Sequence, residues 1–165
     1  MAYRLAKQNG DAVSVPQLIF TKLPQLEDDW LRVALFVVAT GETDPARIAA
    51  ALPGWFDRVL VDAPCSGEGM FRKEEAAVAD WSEETVAMCA ARQIEILRTA
   101  ASLLRPGGRL VYSTCTFAPQ ENEGTISTFL QEHPDFSVIP IGSPYFSPGR
   151  PDWTADPAAG LEGTA

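Results

Sequence analysis

Two cysteines stand in polar stretches rich in glycine and threonine, outside the apolar runs. Cys65 lies in Asp62-Ala63-Pro64-Cys65-Ser66-Gly67 and Cys115 in Tyr112-Ser113-Thr114-Cys115-Thr116. Free cysteine often serves as a small buried hydrophobe, the reading that suits Cys89 on a long helical stretch. A cysteine in a polar loop invites the other reading. Its thiolate is a nucleophile, favoured by a nearby helix N-terminus or cation. Cys115 precedes a helix expected to begin at Pro119, which is a suitable place. A thiolate can add to an electron-poor carbon, including C6 of a pyrimidine ring. The adduct makes C5 nucleophilic enough to take a methyl group, and a base must then remove the C5 proton so that the adduct can eliminate. Two cysteines and an acid fit that scheme.

These residues must be positioned by the elements before them. Phe56–Ala63 is short, apolar and β-branched, as a buried strand should be. Pro64–Arg72 is a glycine-bearing loop. Ser82 can cap a long helix with an apolar stripe of Val86, Ala90, Ile94, Leu97, Ala101 and Leu104. Arg105-Pro106-Gly107-Gly108 stops it, and Arg109–Ser113 is a second strand. Pro119 opens another helix, with Ile126, Phe129 and Leu130 inward, ended by His133-Pro134. Phe136–Ile141 reads as an edge strand. Strand–helix–strand–helix order gives an α/β fold with a mainly parallel sheet. The carboxyl ends of such strands form a ligand crevice. If the two strands are neighbours, both thiols face it.

Residues 1–42 read as a helical N-terminal segment. Leu26, Trp30, Val33, Ala34 and Val37 recur at helical spacing, Glu27, Asp28 and Asp29 suit its first turn, and Gly41 can close it. A shorter helix opens at Thr43-Asp44-Pro45, a cap residue followed by proline, and runs to Leu52. Residues 143–165 are loop-rich. The division is therefore 1–42, a catalytic 43–142, and a tail 143–165.

Composition narrows the classes. The 165 residues are 46% hydrophobic and 21% charged, with a formal net charge of −9. That charge argues against a free-standing, non-specific nucleic-acid binder, which needs a basic face. An enzyme on nucleic acid remains open if another segment supplies the grip. No apolar run approaches the ~20 residues of a membrane span, and Met1–Gly10 lacks the apolar stretch of a secretory signal. Three cysteines without an export signal point to a reducing cytoplasm rather than a disulfide framework. A single histidine, His133, leaves no expected metal site and little case for a Ser-His or Cys-His hydrolase. It reads as a helix end. Tyr112 and Phe117 read as core rather than as base-stacking platforms. Gly67-Glu68-Gly69 alone is weak evidence for a phosphate loop.

Taken whole, Asp62-Ala63-Pro64-Cys65-Ser66-Gly67-Glu68-Gly69-Met70 and Tyr112-Ser113-Thr114-Cys115-Thr116-Phe117, with Pro119 and Glu121-Asn122-Glu123 behind, resemble the two signature motifs of the NOL1/NOP2/Sun (RsmB/RsmF-type) RNA cytosine-5 methyltransferases. Phe71-Arg72-Lys73, Trp81-Ser82, Arg92-Gln93 and Leu104–Gly108 are similar in the same order. The resemblance runs from about Thr43 to Arg150. It implies a partial Rossmann-like, S-adenosylmethionine-dependent methyltransferase fold acting on ribosomal or transfer RNA. By that resemblance Cys115 attacks C6 and Cys65 assists release of the methylated base. Asp62 lies by the cytosine and the methyl donor. Asp44 matches the acid that contacts the donor's adenine, although it reads equally as a helix cap. Lys73 matches a residue near the target nucleotide, against a bland reading as a solvated lysine. Glu121 and Asn122 organise the loop behind Cys115.

The chain also departs from the family. A complete domain opens with a strand and a glycine-rich loop whose backbone approaches the donor, where a side chain would block the way. Residues 1–42 hold only Gly10 and Gly41. An incomplete parallel sheet exposes edges and an apolar patch, which residues 1–42 or a second polypeptide would have to cover. Residues 13–52 loosely resemble the helical N-terminal segment of DnaD-type replication proteins. Two alternatives therefore stand beside the enzyme: an inactive fragment or chimaera with an interaction role, and a DNA-binding module of the N-terminal helices.

Overall fold

The computed structural model describes residues 4–6, 12–14, 33–37, 49–139, 149–158 and 161. Two strands, β1 (Arg4–Ala6) and β2 (Ala12–Ser14), pair antiparallel with Leu5 opposite Val13. Three more, β3 (Val33–Val37), β4 (Phe56–Asp62) and β5 (Leu104–Ser113), form a parallel sheet in the order β3-β4-β5. The helices are α1 (Glu75–Asp80), α2 (Glu83–Leu103) and α3 (Glu123–Glu132). Short 3₁₀ turns occupy Glu68–Met70 and Pro151–Trp153. The chain divides into two compact units. One is Met1–Ala63 with Thr99–Ser113, and the other is Pro64–Arg98 with Thr114–Ala165.

In the first unit β4 is the central strand. Val59 and Val61 are buried, with Phe56, Ala63, Ala100 and Leu103. Burying a valine side chain is worth about 1.5–3 kcal/mol against leaving it in water. The register sets Asp62 opposite Ser113 on β5 and Val37 on β3, so the three strands end level. Helix α2 passes into β5 without a separate loop. Leu104 pairs with Phe56, then the ladder slips and resumes at Arg58 opposite Arg109. The intervening bulge holds the Arg-Pro-Gly-Gly stop signal of the sequence. Gly107 sits there at φ +76°, a left-handed conformation that costs glycine little. Arg105 reaches back to the buried Asp57 as an ion pair.

In the second unit Val86, Ile96, Leu97, Ala118, Phe129, Ala158 and Leu161 are buried. The Ser82 hydroxyl accepts the Thr85 N–H at 3.1 Å, the expected N-cap of α2. Helix α3 closes with the His133 N–H on the Phe129 carbonyl at 2.9 Å.

Four sequence expectations are corrected. The helix expected over Leu26–Val37 fails at Val33–Val37, which is strand β3. Val-Ala-Leu-Phe-Val is one continuous apolar run, and a run without alternation does not separate a strand from a helix. The other described residues before position 42 are β1 and β2, not helix. Residues 136–139 form no strand. Phe136 instead joins Phe129 and His133 in an aromatic cluster, with ring centroids 5.1 and 5.8 Å away. Helix α3 begins at Glu123 rather than Pro119, because Ala118–Gly124 first makes tight turns onto the Ala118 and Pro119 carbonyls. Of the helix expected from Thr43, residues 49–51 are helical and Thr43–Ile48 lie outside the described residues.

Candidate active site

Strands β4 and β5 each run directly into a cysteine loop. In the first unit the pair ends on an Ala63 N–H donated to the Ser113 carbonyl at 2.9 Å. Asp62, the last residue of β4, is exposed, and the Ser113 hydroxyl donates to its Oδ1 at 3.2 Å. That bond steers the carboxylate and leaves lone pairs open to solvent.

The two loops themselves belong to the second unit, where Cys65 Sγ and Cys115 Sγ stand 3.1 Å apart. The Cys115 N–H also points at Cys65 Sγ, at 3.3 Å. Cys115 is exposed and Cys65 is half-buried. Burial, together with the neighbouring Cys115 thiol, pushes the Cys65 thiol from its ordinary 9.0 up to about 12. Cys65 therefore keeps its proton at neutral pH, and Cys115 is the sulfur that meets solvent. Cys89, on α2, is pushed up by burial and by the Glu121 carboxylate.

Carboxylate, amide and hydroxyl contacts hold the loops at this spacing. Glu121 is fully buried, and its carboxylate accepts the Ser66 N–H at 3.0 Å and the Gln93 amide at 2.8 Å. Gln93 donates as well to the Pro64 carbonyl at 2.9 Å, so the residues on both sides of Cys65 are tied to one network. Glu68 Oε2 accepts the Phe117 N–H at 2.9 Å and the Thr116 hydroxyl at 3.2 Å. Asn122 accepts the Thr114 hydroxyl at 2.7 Å and donates to the Thr116 carbonyl at 3.1 Å. Cys115 is thus braced on both flanks. The Gly69 N–H donates to the Cys115 carbonyl at 2.7 Å, and a Cβ on Gly69 would lie 2.6 Å from that oxygen. Glycine is required here for the approach of one cysteine loop to the other, not for a phosphate.

Of the residues singled out from sequence, Cys65 and Cys115 are brought together, with Glu121 and Asn122 behind them. Lys73 is exposed on the turn before α1, its N–H on the Met70 carbonyl at 2.8 Å. Asp44 lies outside the described residues. Cys115 is not in the first turn of α3, so the helix dipole, which fades within that turn, is not what serves it. Phe117, read as core, is 74% exposed two residues beyond Cys115. Gln93, Glu68, Ser66 and Thr116 stand within the sequence motifs but had no individual role assigned to them. Gln93 left a signal: it falls at the apolar spacing of Val86, Leu97 and Ala100, where a polar side chain must be buried and satisfied.

Residues 7–148 match the family described as 16S rRNA methyltransferase RsmB/F, a span that includes most of the segment before Thr43. The ribosomal RNA small subunit methyltransferase F of Klebsiella pneumoniae (strain 342) is 37% identical over 135 residues, which are 81% of this chain and 28% of that protein. The chain thus spans little more than a quarter of the length of that relative. A methyltransferase homolog from Pyrococcus horikoshii matches in structure with a TM-score of 0.57 at 26% identity, over 81% of this chain and 38% of the other. NSun6 from Pyrococcus horikoshii, crystallised with SFG, matches with a TM-score of 0.54 at 26% identity, over 66% and 27%. With the motifs, the parallel sheet and the paired sulfurs in place, the chain belongs to the 16S rRNA methyltransferase RsmB/F family.

Proposed function

We propose that this chain carries the catalytic loops of an RNA cytosine-5 methyltransferase acting on ribosomal or transfer RNA in the cytoplasm. The observation that carries the reading is the 3.1 Å approach of an exposed sulfur, Cys115, to a half-buried sulfur, Cys65, that holds its proton. Cys115 as thiolate adds to C6 of the cytosine, forming the C6–S bond and placing the electron pair at C5. S-adenosylmethionine supplies the methyl group that C5 takes. A base then removes the C5 proton, the C5–C6 double bond re-forms and the C6–S bond breaks. Cys65 S–H donates a hydrogen bond to the departing Cys115 sulfur and so assists release.

The donor is implied by the family and by the S-adenosylmethionine-type ligand SFG bound to NSun6. Asp62 fits it: an exposed carboxylate at the carboxyl end of a parallel strand, one oxygen already fixed by Ser113, suits a cationic, hydroxyl-rich ligand. Asp44 is the second candidate for holding it, and Lys73 the candidate for approaching the target nucleotide.

The test is transfer of a labelled methyl group from S-adenosylmethionine to 16S ribosomal RNA by the 165-residue chain. Cys115→Ala is expected to abolish it, about a 10⁴-fold loss or more on the scale of removing a covalent nucleophile. Transfer that survives Cys115→Ala would remove the assigned role.

A further inference from the structure

We infer that Cys65 and Cys115 form a peroxide-sensitive pair that closes reversibly into an internal disulfide. The inference stands on the sulfur geometry and is independent of the methyl-transfer reading. A disulfide needs an S–S separation of about 2.05 Å, so the sulfurs must close by roughly 1 Å. The loops bearing them are already braced to each other by the Gly69 N–H on the Cys115 carbonyl and by Glu68 on the Thr116–Phe117 segment, so no unfolding step is required.

The two cysteines differ in the way such a pair requires. Cys115 is exposed and open to a small oxidant. Cys65 is half-buried directly behind it, placed to resolve the oxidised sulfur. The Cys115 thiolate attacks one oxygen of a hydroperoxide. The O–O bond breaks, water or an alcohol leaves, and Cys115 becomes a sulfenic acid. The Cys65 sulfur then attacks Cys115, the S–S bond forms, and water leaves carrying the Cys65 proton. Two thiols lose two electrons in total, and the peroxide gains them. A dithiol reverses the change by thiol–disulfide exchange. In the oxidised state neither sulfur is a nucleophile.

The experiment treats the full chain with hydrogen peroxide, blocks remaining thiols with iodoacetamide, and maps peptides without reduction. The expected result is loss of the mass of two hydrogens, a Cys65–Cys115 cross-linked peptide pair, alkylation of Cys89 alone, and full reversal by dithiothreitol. Cys89→Ser gives the same cross-link. Cys65→Ser leaves Cys115 as a sulfenic acid that dimedone captures. The inference is overturned if Cys115 proceeds to sulfinic or sulfonic acid while Cys65 remains alkylatable, or if the cross-link runs through Cys89 or between two chains. None of these readouts depends on methyl transfer, so failure here and failure of the proposed reaction are distinguishable.

Discussion

At Cys65 the thiol is held protonated by burial and by the Cys115 thiol beside it, at about 12 against an ordinary 9.0. Its folded form therefore binds a proton that the unfolded chain releases between those values. The sign follows: this cysteine costs no stability below pH 9.0, and stability falls as pH rises from 9.0 toward about 12. At pH 8 iodoacetamide is expected to label Cys115 well before Cys65, read by peptide mass; equal rates would contradict the assigned environments. Glu121 offers a second test. Removing its buried carboxylate strands the Ser66 N–H and takes from the Gln93 amide the acceptor it holds besides the Pro64 carbonyl, so Glu121→Ala is expected to lower stability by about 2–4 kcal/mol in urea unfolding. Glu121→Gln keeps one acceptor oxygen and should cost less. The cysteines were legible in the sequence because they break the pattern: polar loops are the wrong place for structural thiols. Glu68 was not, because an exposed-looking acid in a loop carries no mark of the backbone N–H groups it will meet.

At the scale of elements, the register of β4 with β5 brings Asp62 level with Ser113. Val61 is wholly buried, whereas Val111 on β5 is 53% exposed. Val61→Ala is therefore expected to cost about 2 kcal/mol and Val111→Ala less than about 0.5 kcal/mol, measured as a shift in urea midpoint. Ser82→Ala removes the cap of α2 and is expected to cost about 1 kcal/mol. The strands β4 and β5 and helix α2 were readable because β-branched runs, a cap serine and an Arg-Pro-Gly-Gly stop are local signals. Strand β3 was not. Its pairing with β4 is a long-range contact, and its five apolar residues satisfy helical spacing as well as a buried strand. Phe136 was misplaced for a local reason: its N–H turns back onto the His133 carbonyl at 3.0 Å and its ring packs on Phe129 and His133, and apolar spacing marks neither.

For the whole molecule, the net charge of −9 weighs against tight binding of a polyanion. The chain covers 28% of the length of the Klebsiella relative. The chain alone is expected to bind RNA only weakly at physiological salt in a filter assay, so transfer is measured at high RNA concentration, and micromolar affinity there would contradict this charge argument. The central claim is that Cys115 bonds the pyrimidine and Cys65 frees it. Its most direct measurement incubates Cys65→Ala with substrate RNA and S-adenosylmethionine, then maps any covalent protein–RNA product by mass spectrometry. The account predicts RNA attached at Cys115, and none in the Cys65→Ala/Cys115→Ala double variant. RNA attached at any other residue, or methylation by Cys65→Ala as fast as by the parent with no adduct, would contradict it.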